Sequence, residues 1–210
     1  MAAAKICGIK DSAALDAAIA GGARFVGLVF FAKSPRHLSF DAAAALAARA
    51  RGRSEIVAVT VDAPDALLGQ INQVVRPDWV QAHGSETPAR TASLRQFATK
   101  GVVKALGIGR ASDLRAARAF ETAADTLLFD AKAPPGSQPG GNGAAFDWAI
   151  LADLRLARPW FLSGGLTPEN IGEAVKVSGA TLVDVSSGVE RAPGLKDPEK
   201  IARFLAAARA

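Results

Sequence analysis

Short apolar runs alternate with longer Ala-rich stretches along the whole chain. The runs lie at 5–9, 25–30, 56–61, 79–81, 102–106, 126–130, 160–163 and 182–186. Most are continuously apolar, as expected of strands covered on both faces. Between them, amphipathic stretches predict helices over 12–20, 41–51, 64–75, 88–99, 111–122, 147–154, 168–177 and 198–208. Ser12 after Asp11 gives a helix start. Thr167-Pro168-Glu169 and Asp197-Pro198-Glu199 each place a capping residue before a first-turn proline. Gly21-Gly22 and Gly101 are expected to stop helices. Eight strand–helix units in one chain predict a parallel sheet closed on itself, an α/β fold forming a single (β/α)8 TIM barrel over 1–210. An open doubly wound sheet is the alternative, but no GxGxxG follows the first strand. The Gly/Pro-rich stretch 133–145 follows the sixth strand and is expected to cover an active site.

Composition narrows the class. The chain has 210 residues, half of them apolar and 21% charged, which supplies a full core. The net charge of +5 admits an anionic partner. Its cations do not form a stripe beside aromatic residues, which argues against nucleic acid. Arg49, Arg51 and Arg53 form the densest group, at an expected helix end. One Cys and two His leave no internal disulfide and no evident metal cage. No signal-peptide core or membrane-length apolar run is visible. A cytoplasmic chain without metal or cofactor is expected, as a monomer or homodimer.

In a barrel of this kind the chemistry sits where strands end and helices begin. The polar residues there include Cys7, Arg36, Asp62, Gln81, His83, Asp130, Ser163-Gly164-Gly165 and Ser186-Ser187-Gly188. The Gly164-Gly165 and Ser187-Gly188 loops could simply make tight turns. Two such loops side by side, after strands seven and eight, favour a phosphate held by backbone amides. Cys7 reads either as a small buried hydrophobe or as a base, needing nearby charge such as Lys5 or Lys132 to become a thiolate. Asp130 ends an apolar strand and must pair, escape or shift its pKa. Arg36 reads either as a solvated loop cation or as a carboxylate fork. His83 reads as a wall residue or an acid/base group, the wall being favoured. Trp79 and Trp160 are expected in the strand core, with Trp148 under the loop.

The motifs K-I-C-G-I, V-G-L-V-F, K-S-P-R, Q-A-H-G, V-K-A, L-L-F-D-A-K, G-G-x-G-x-x-F-D-W, L-S-G-G-L-x-P-E-N and V-D-V-S-S-G-V-E follow one another from position 5 past 194. In that order and spacing the chain resembles the phosphoribosylanthranilate isomerases. The resemblance implies an Amadori rearrangement of a small phosphorylated substrate without metal or cofactor. Cys7 matches the family's general base and Asp130 its general acid. Arg36 matches the anthranilate-carboxylate contact, and the Gly164-Gly165 and Ser187-Gly188 loops match the phosphate grip. Ala82, His37 and Phe31-Ala32 depart from the usual Leu, Tyr and Tyr-Pro, which touches packing and aromatic contacts rather than the acid and base. An indole-forming synthase would need a Lys–Glu pair at the strand ends. A related sugar isomerase would use two Asp, for which Asp62 is a candidate. A non-enzymatic phospholigand-binding barrel would keep the Gly loops but tolerate losing Cys7.

Overall fold

A computed structural model describes residues 1–132, 140, 141, 143 and 145–210. Eight parallel strands close into a barrel: β1 (Ala3–Cys7), β2 (Phe25–Phe30), β3 (Glu55–Thr60), β4 (Trp79–Ala82), β5 (Gly101–Ile108), β6 (Thr126–Ala131), β7 (Trp160–Leu162) and β8 (Leu182–Val185). β1 pairs with β8 as well as with β2, so the sheet has no free edge. The expected strands are all present, with ends shifted by one or two residues.

Each strand offers alternate residues to the two sides of the wall. Phe25, Val29, Val57, Val59, Val103, Ala105, Leu128, Phe161 and Leu182 fill the interior together with Cys7. The other face packs under the helices, where Ile6, Val26, Ile56, Phe129 and Val183 join α-helical side chains such as Leu15 and Phe204. Both faces are apolar, which is why the strands read as continuous runs. Trp79 and Trp160 are half-buried and stand edge-on to Phe25 and Phe129.

The helices are α1 (Ser12–Ala20), α2 (Phe40–Ala50), α3 (Asp65–Val75), α4 (Pro88–Ser93), α5 (Arg115–Phe120), α6 (Ile171–Ser178) and α7 (Pro198–Arg209). Asp11 caps α1 through the Ala14 amide, and Asp197 caps α7 through Glu199 and Lys200. Three expected helices are shorter. The 88–99 stretch becomes α4 followed by a 3-10 turn over Leu94–Phe97, and 111–122 starts as a 3-10 turn over Ala111–Leu114. The expected helix over 147–154 is a single 3-10 turn, Trp148–Leu151. Leu151 is its one fully buried residue, and one turn capped by Asp147 suffices to bury it.

Two stop and start signals also act differently. Gly101 opens β5 rather than ending a helix, because the Asp125 carboxylate occupies the space a side chain would need. Thr167-Pro168-Glu169 forms a turn, and α6 begins only at Ile171. Asn170 causes this: its Oδ1 accepts from the Thr167 amide at 2.8 Å and its Nδ2 donates to Gly165 O at 2.9 Å. A short antiparallel hairpin, β9 (Glu190–Ala192) and β10 (Leu195–Lys196), follows β8 and was not anticipated. The proposed cover over 133–145 falls largely outside the described residues.

Candidate active site

At the C-terminal mouth of the barrel the inward-facing positions turn polar. Cys7, Arg36, His83, Asp130, Ser163 and Asp184 line one cavity of about 560 Å³. They come from the C-terminal ends of five strands, or the residue just past them, and from the β2–α2 loop, so closure of the barrel brings together residues that are up to 177 positions apart. The cavity continues into a second one between the Gly164-Gly165 and Ser187-Gly188 loops.

Gly164 and Gly165 have φ of 86° and 65°, which L side chains rarely adopt. At Gly188 a Cβ would sit 1.9 Å from Leu166 O, so only glycine lets the loop after β8 abut the loop after β7. The abutting loops form one cradle of backbone groups and serine hydroxyls.

Asp130 is the penultimate residue of β6, with 8% of its surface exposed. Its Oδ1 accepts from the Ala131 amide at 2.9 Å, and its Oδ2 lies 3.5 Å from His83 Nε2. Gln81, fully buried, places Nε2 2.8 Å from His83 Nδ1. With the amide nitrogen as donor, Nδ1 accepts and the ring directs Nε2–H at Asp130. Gln81 and His83 are therefore a support for the Asp130 carboxyl as well as part of the wall.

Cys7 ends β1 and is 8% exposed. A methyl group at Gly27 would lie 3.0 Å from its Sγ and 3.3 Å from Lys5 Cε, so Gly27 leaves room for both side chains. Lys5 donates to Asp184 Oδ1 at 2.8 Å, and Ser163 Oγ donates to Asp184 Oδ2 at 3.3 Å. Burial opposes the Lys5 charge, but Asp184 and the nearby thiol outweigh it and hold its pKa above the ordinary value. For Cys7, burial dominates and Asp184 adds to it. The thiol therefore stays above its ordinary pKa although Lys5 and Lys196 pull it down. Lys5 thus stands close enough to pull on the thiol, as the sequence suggested, but burial outweighs that pull. Lys132 does not reach the thiol; that side chain is exposed and lies 3.7 Å from Asp113.

Arg36 is buried and already paired. Its Nε and Nη2 donate to the two carboxylate oxygens of Glu190 at 2.8 Å each, and Nη2 also donates to Gly141 O at 3.3 Å. The solvated reading of Arg36 is thereby excluded. Lys196, also buried, donates to Glu190 Oε1 at 2.7 Å and to Ser186 O at 2.9 Å. Glu190 is held below the usual carboxylate range: burial opposes its charge, but Arg36 and Lys196 outweigh burial. Glu190, Lys196 and Asp184 were not singled out from sequence. Asp62 turns aside: its Oδ1 accepts from the Ser85 amide at 2.8 Å, and it borders a neighbouring hollow rather than the Cys7 cavity. Among the described residues no cluster of three or more His, Cys, Asp or Glu could hold a metal ion.

The family model for N-(5'-phosphoribosyl)anthranilate (PRA) isomerase matches residues 4–207. The chain belongs to the PRA isomerase family. An N-(5'-phosphoribosyl)anthranilate isomerase of Rhodopseudomonas palustris is 52% identical, over 98% of this chain and 95% of that protein. Among solved structures, phosphoribosyl anthranilate isomerase of Thermotoga maritima superposes with a TM-score of 0.89 at 32% identity, over 100% of this chain and 99% of that one. A PRA isomerase solved with reduced 1-(o-carboxyphenylamino)-1-deoxyribulose 5-phosphate superposes with a TM-score of 0.85 at 31% identity, covering 100% and 99%. The family's barrel is the barrel built here from the strand pattern. No helix among the described residues is long and apolar enough to cross a membrane.

Proposed function

We propose that this chain catalyses the Amadori rearrangement of N-(5-phosphoribosyl)anthranilate to 1-(2-carboxyphenylamino)-1-deoxyribulose 5-phosphate, a step of tryptophan biosynthesis. One observation carries the reading: Cys7 and Asp130 face a single cavity that runs into the paired Gly/Ser loops. Family membership and 52% identity to a named isomerase support it.

The residues divide the work as follows. Gly164, Gly165, Ser187 and Gly188 hold the phosphate through backbone amides and the serine hydroxyl. Arg36, fixed by Glu190, meets the anthranilate carboxylate. Asp130, oriented by His83 and Gln81, protonates the ribose ring oxygen. The C–O bond opens and the nitrogen lone pair forms an iminium. The Cys7 thiolate then takes the proton from the adjacent sugar carbon, and those electrons neutralise the iminium as an enolamine. Tautomerisation gives the ketone. Only ionised Cys7 is competent, and its resting pKa is raised. The iminium supplies the compensating charge: a cation beside the sulfur favours loss of the thiol proton to solvent before the step that needs the thiolate. Each transfer is of a kind worth about a hundred- to ten-thousandfold in rate.

The catalytic groups come from one chain, so a monomer or a homodimer would serve. A phosphorylated substrate does not cross membranes unaided, which argues for a cytoplasmic enzyme. The test is turnover of freshly generated phosphoribosylanthranilate, followed as loss of anthranilate-type fluorescence in the presence of a chelator. Turnover is expected; a folded but inactive protein would assign the site to another phosphosugar.

A further inference from the structure

Beside the acid and base lies a buried charge cluster that the mechanism above uses only in part. Arg36, Glu190 and Lys196 are 8%, 8% and 3% exposed. Two cations share one carboxylate; among the described residues neither has another carboxylate partner. The cluster thus carries an excess positive charge in a poorly hydrated wall. It is also connected. Lys196 Nζ donates to Glu190 and to both the carbonyl and, at 3.3 Å, the hydroxyl of Ser186. Ser186 Oγ in turn donates to Cys7 O at 3.1 Å. Lys200, from α7, donates to Glu190 O at 2.8 Å and pins the start of β9 from behind.

A surface lysine would not be built this way. Burying an ammonium costs several kcal/mol unless it is paired and hydrogen-bonded. Burial does hold the Lys196 pKa below the ordinary lysine value, despite Glu190 and Cys7 pulling it upward. A neutral Gln could hold the hairpin to Ser186 without that cost. What Gln cannot supply is a charge within electrostatic reach of the thiol.

We propose that Lys196 is a positioning residue: it sets Arg36 through Glu190 and Cys7 through Ser186, and its charge favours the thiolate. The inference rests on the isomerase reading for its catalytic meaning, but not for its test. Lys5 also favours the thiolate and is the stronger pull, but its ion-pair partner Asp184 opposes it, so Lys196 adds a second cation from another element. The charged and titratable groups around Cys7 are Lys5 on its own strand, Asp184 on β8 and Lys196 on β10. Across the cavity stand Arg36 from the β2–α2 loop, His83 after β4 and Asp130 on β6.

The chain has a single cysteine, so alkylation by iodoacetamide reads Cys7 alone. The alkylation rate of the folded protein is measured against pH for wild type, Lys196→Gln, Lys196→Arg and Glu190→Gln. Removing the cation in Lys196→Gln is expected to raise the midpoint by about one pH unit. Lys196→Arg should restore it. Glu190→Gln, which leaves both cations without their carboxylate, should shift it the opposite way, downward. A Lys196→Gln profile that superposes on wild type in a folded protein overturns the proposal. If Lys196→Gln does not fold, Glu190→Gln decides, and an unchanged or raised midpoint there overturns it. With substrate, Lys196→Gln should move the acid limb of kcat/KM by the same amount and raise KM. Midpoints that move as expected in a protein that never turns over phosphoribosylanthranilate would refute the isomerase reading while leaving the charge coupling intact.

Discussion

Lys104 and Glu86 form a deeply buried ion pair away from the Cys7 cavity, at 2.8 Å, with side chains 3% exposed each. Lys104 Nζ also donates to Gly84 O at 2.6 Å and Ala82 O at 3.3 Å. Glu86 accepts from the amides of Asp62 and Gly84. The pair therefore ties β5 to the two carbonyls that flank His83 and to the end of β3. Lys104→Met keeps the stem's contacts but leaves a buried carboxylate without its cation. Breaking such a pair on one side costs about 3–5 kcal/mol. At about 2–4 °C per kcal/mol for a chain of this size, Tm should fall by roughly 6–20 °C. Glu86→Gln beside Lys104→Met removes both charges while the Gln oxygen still accepts from an amide. The double variant should thus recover at least half of the loss. Circular dichroism melts of wild type, both single variants and the double variant measure this as a cycle. A single Lys104→Met that melts within about 2 °C of wild type, or singles that simply add, would refute the claim that the pair holds this loop.

Other outcomes follow from the same geometry. Gly188→Ala drives a methyl into Leu166 O, so KM for the phosphorylated substrate should rise at least about tenfold and protection by inorganic phosphate should weaken. Glu190→Gln loosens the Arg36 fork and should raise KM more than it lowers kcat, read from initial rates. Asp125 has a pKa held below the ordinary carboxylate value: burial opposes its charge, but Arg95 and the Val102 amide outweigh burial. A depressed carboxylate stabilises the fold above its unfolded pKa and loses that contribution as pH falls through the folded value. Urea midpoints should therefore drop on acidification, and less steeply in Asp125→Asn; equal slopes would contradict this.

The barrel was legible because its strands are apolar on both faces. A closed sheet wrapped in helices demands that at every strand, and the pattern recurs eight times. The mouth was legible for a related reason. Cys7, Gln81, Asp130 and Ser163 are polar residues at inward positions of otherwise apolar strands, where only a polar cavity tolerates them. Lys5 and Asp184 obey the same rule one layer deeper, and reading the strands by alternate positions would have found them. Glu190 and Lys196 sit in strands of three and two residues, too short for any period to register. Their sequence looks like a solvated tail, and only pairing with Arg36 makes them interior. The missing sixth helix failed differently: its apolar spacing is helical, but a single turn already buries Leu151. The raised pKa of Cys7 also escaped: a buried sulfur was one reading of the sequence, but the Lys5–Asp184 pairing beside it is not visible in a linear chain.

The central claim is that Asp130 and Cys7 act in one cavity as acid and base on one substrate. Its most direct test is kcat for wild type, Asp130→Asn, Cys7→Ser and the double variant on phosphoribosylanthranilate. Each single variant should lose at least about a hundredfold, and the double should lose much less than the product of the two, because either removal already halts the sequence. A Cys7→Ser enzyme that turns over at the wild-type rate would contradict the account, leaving the reaction without the base assigned to it.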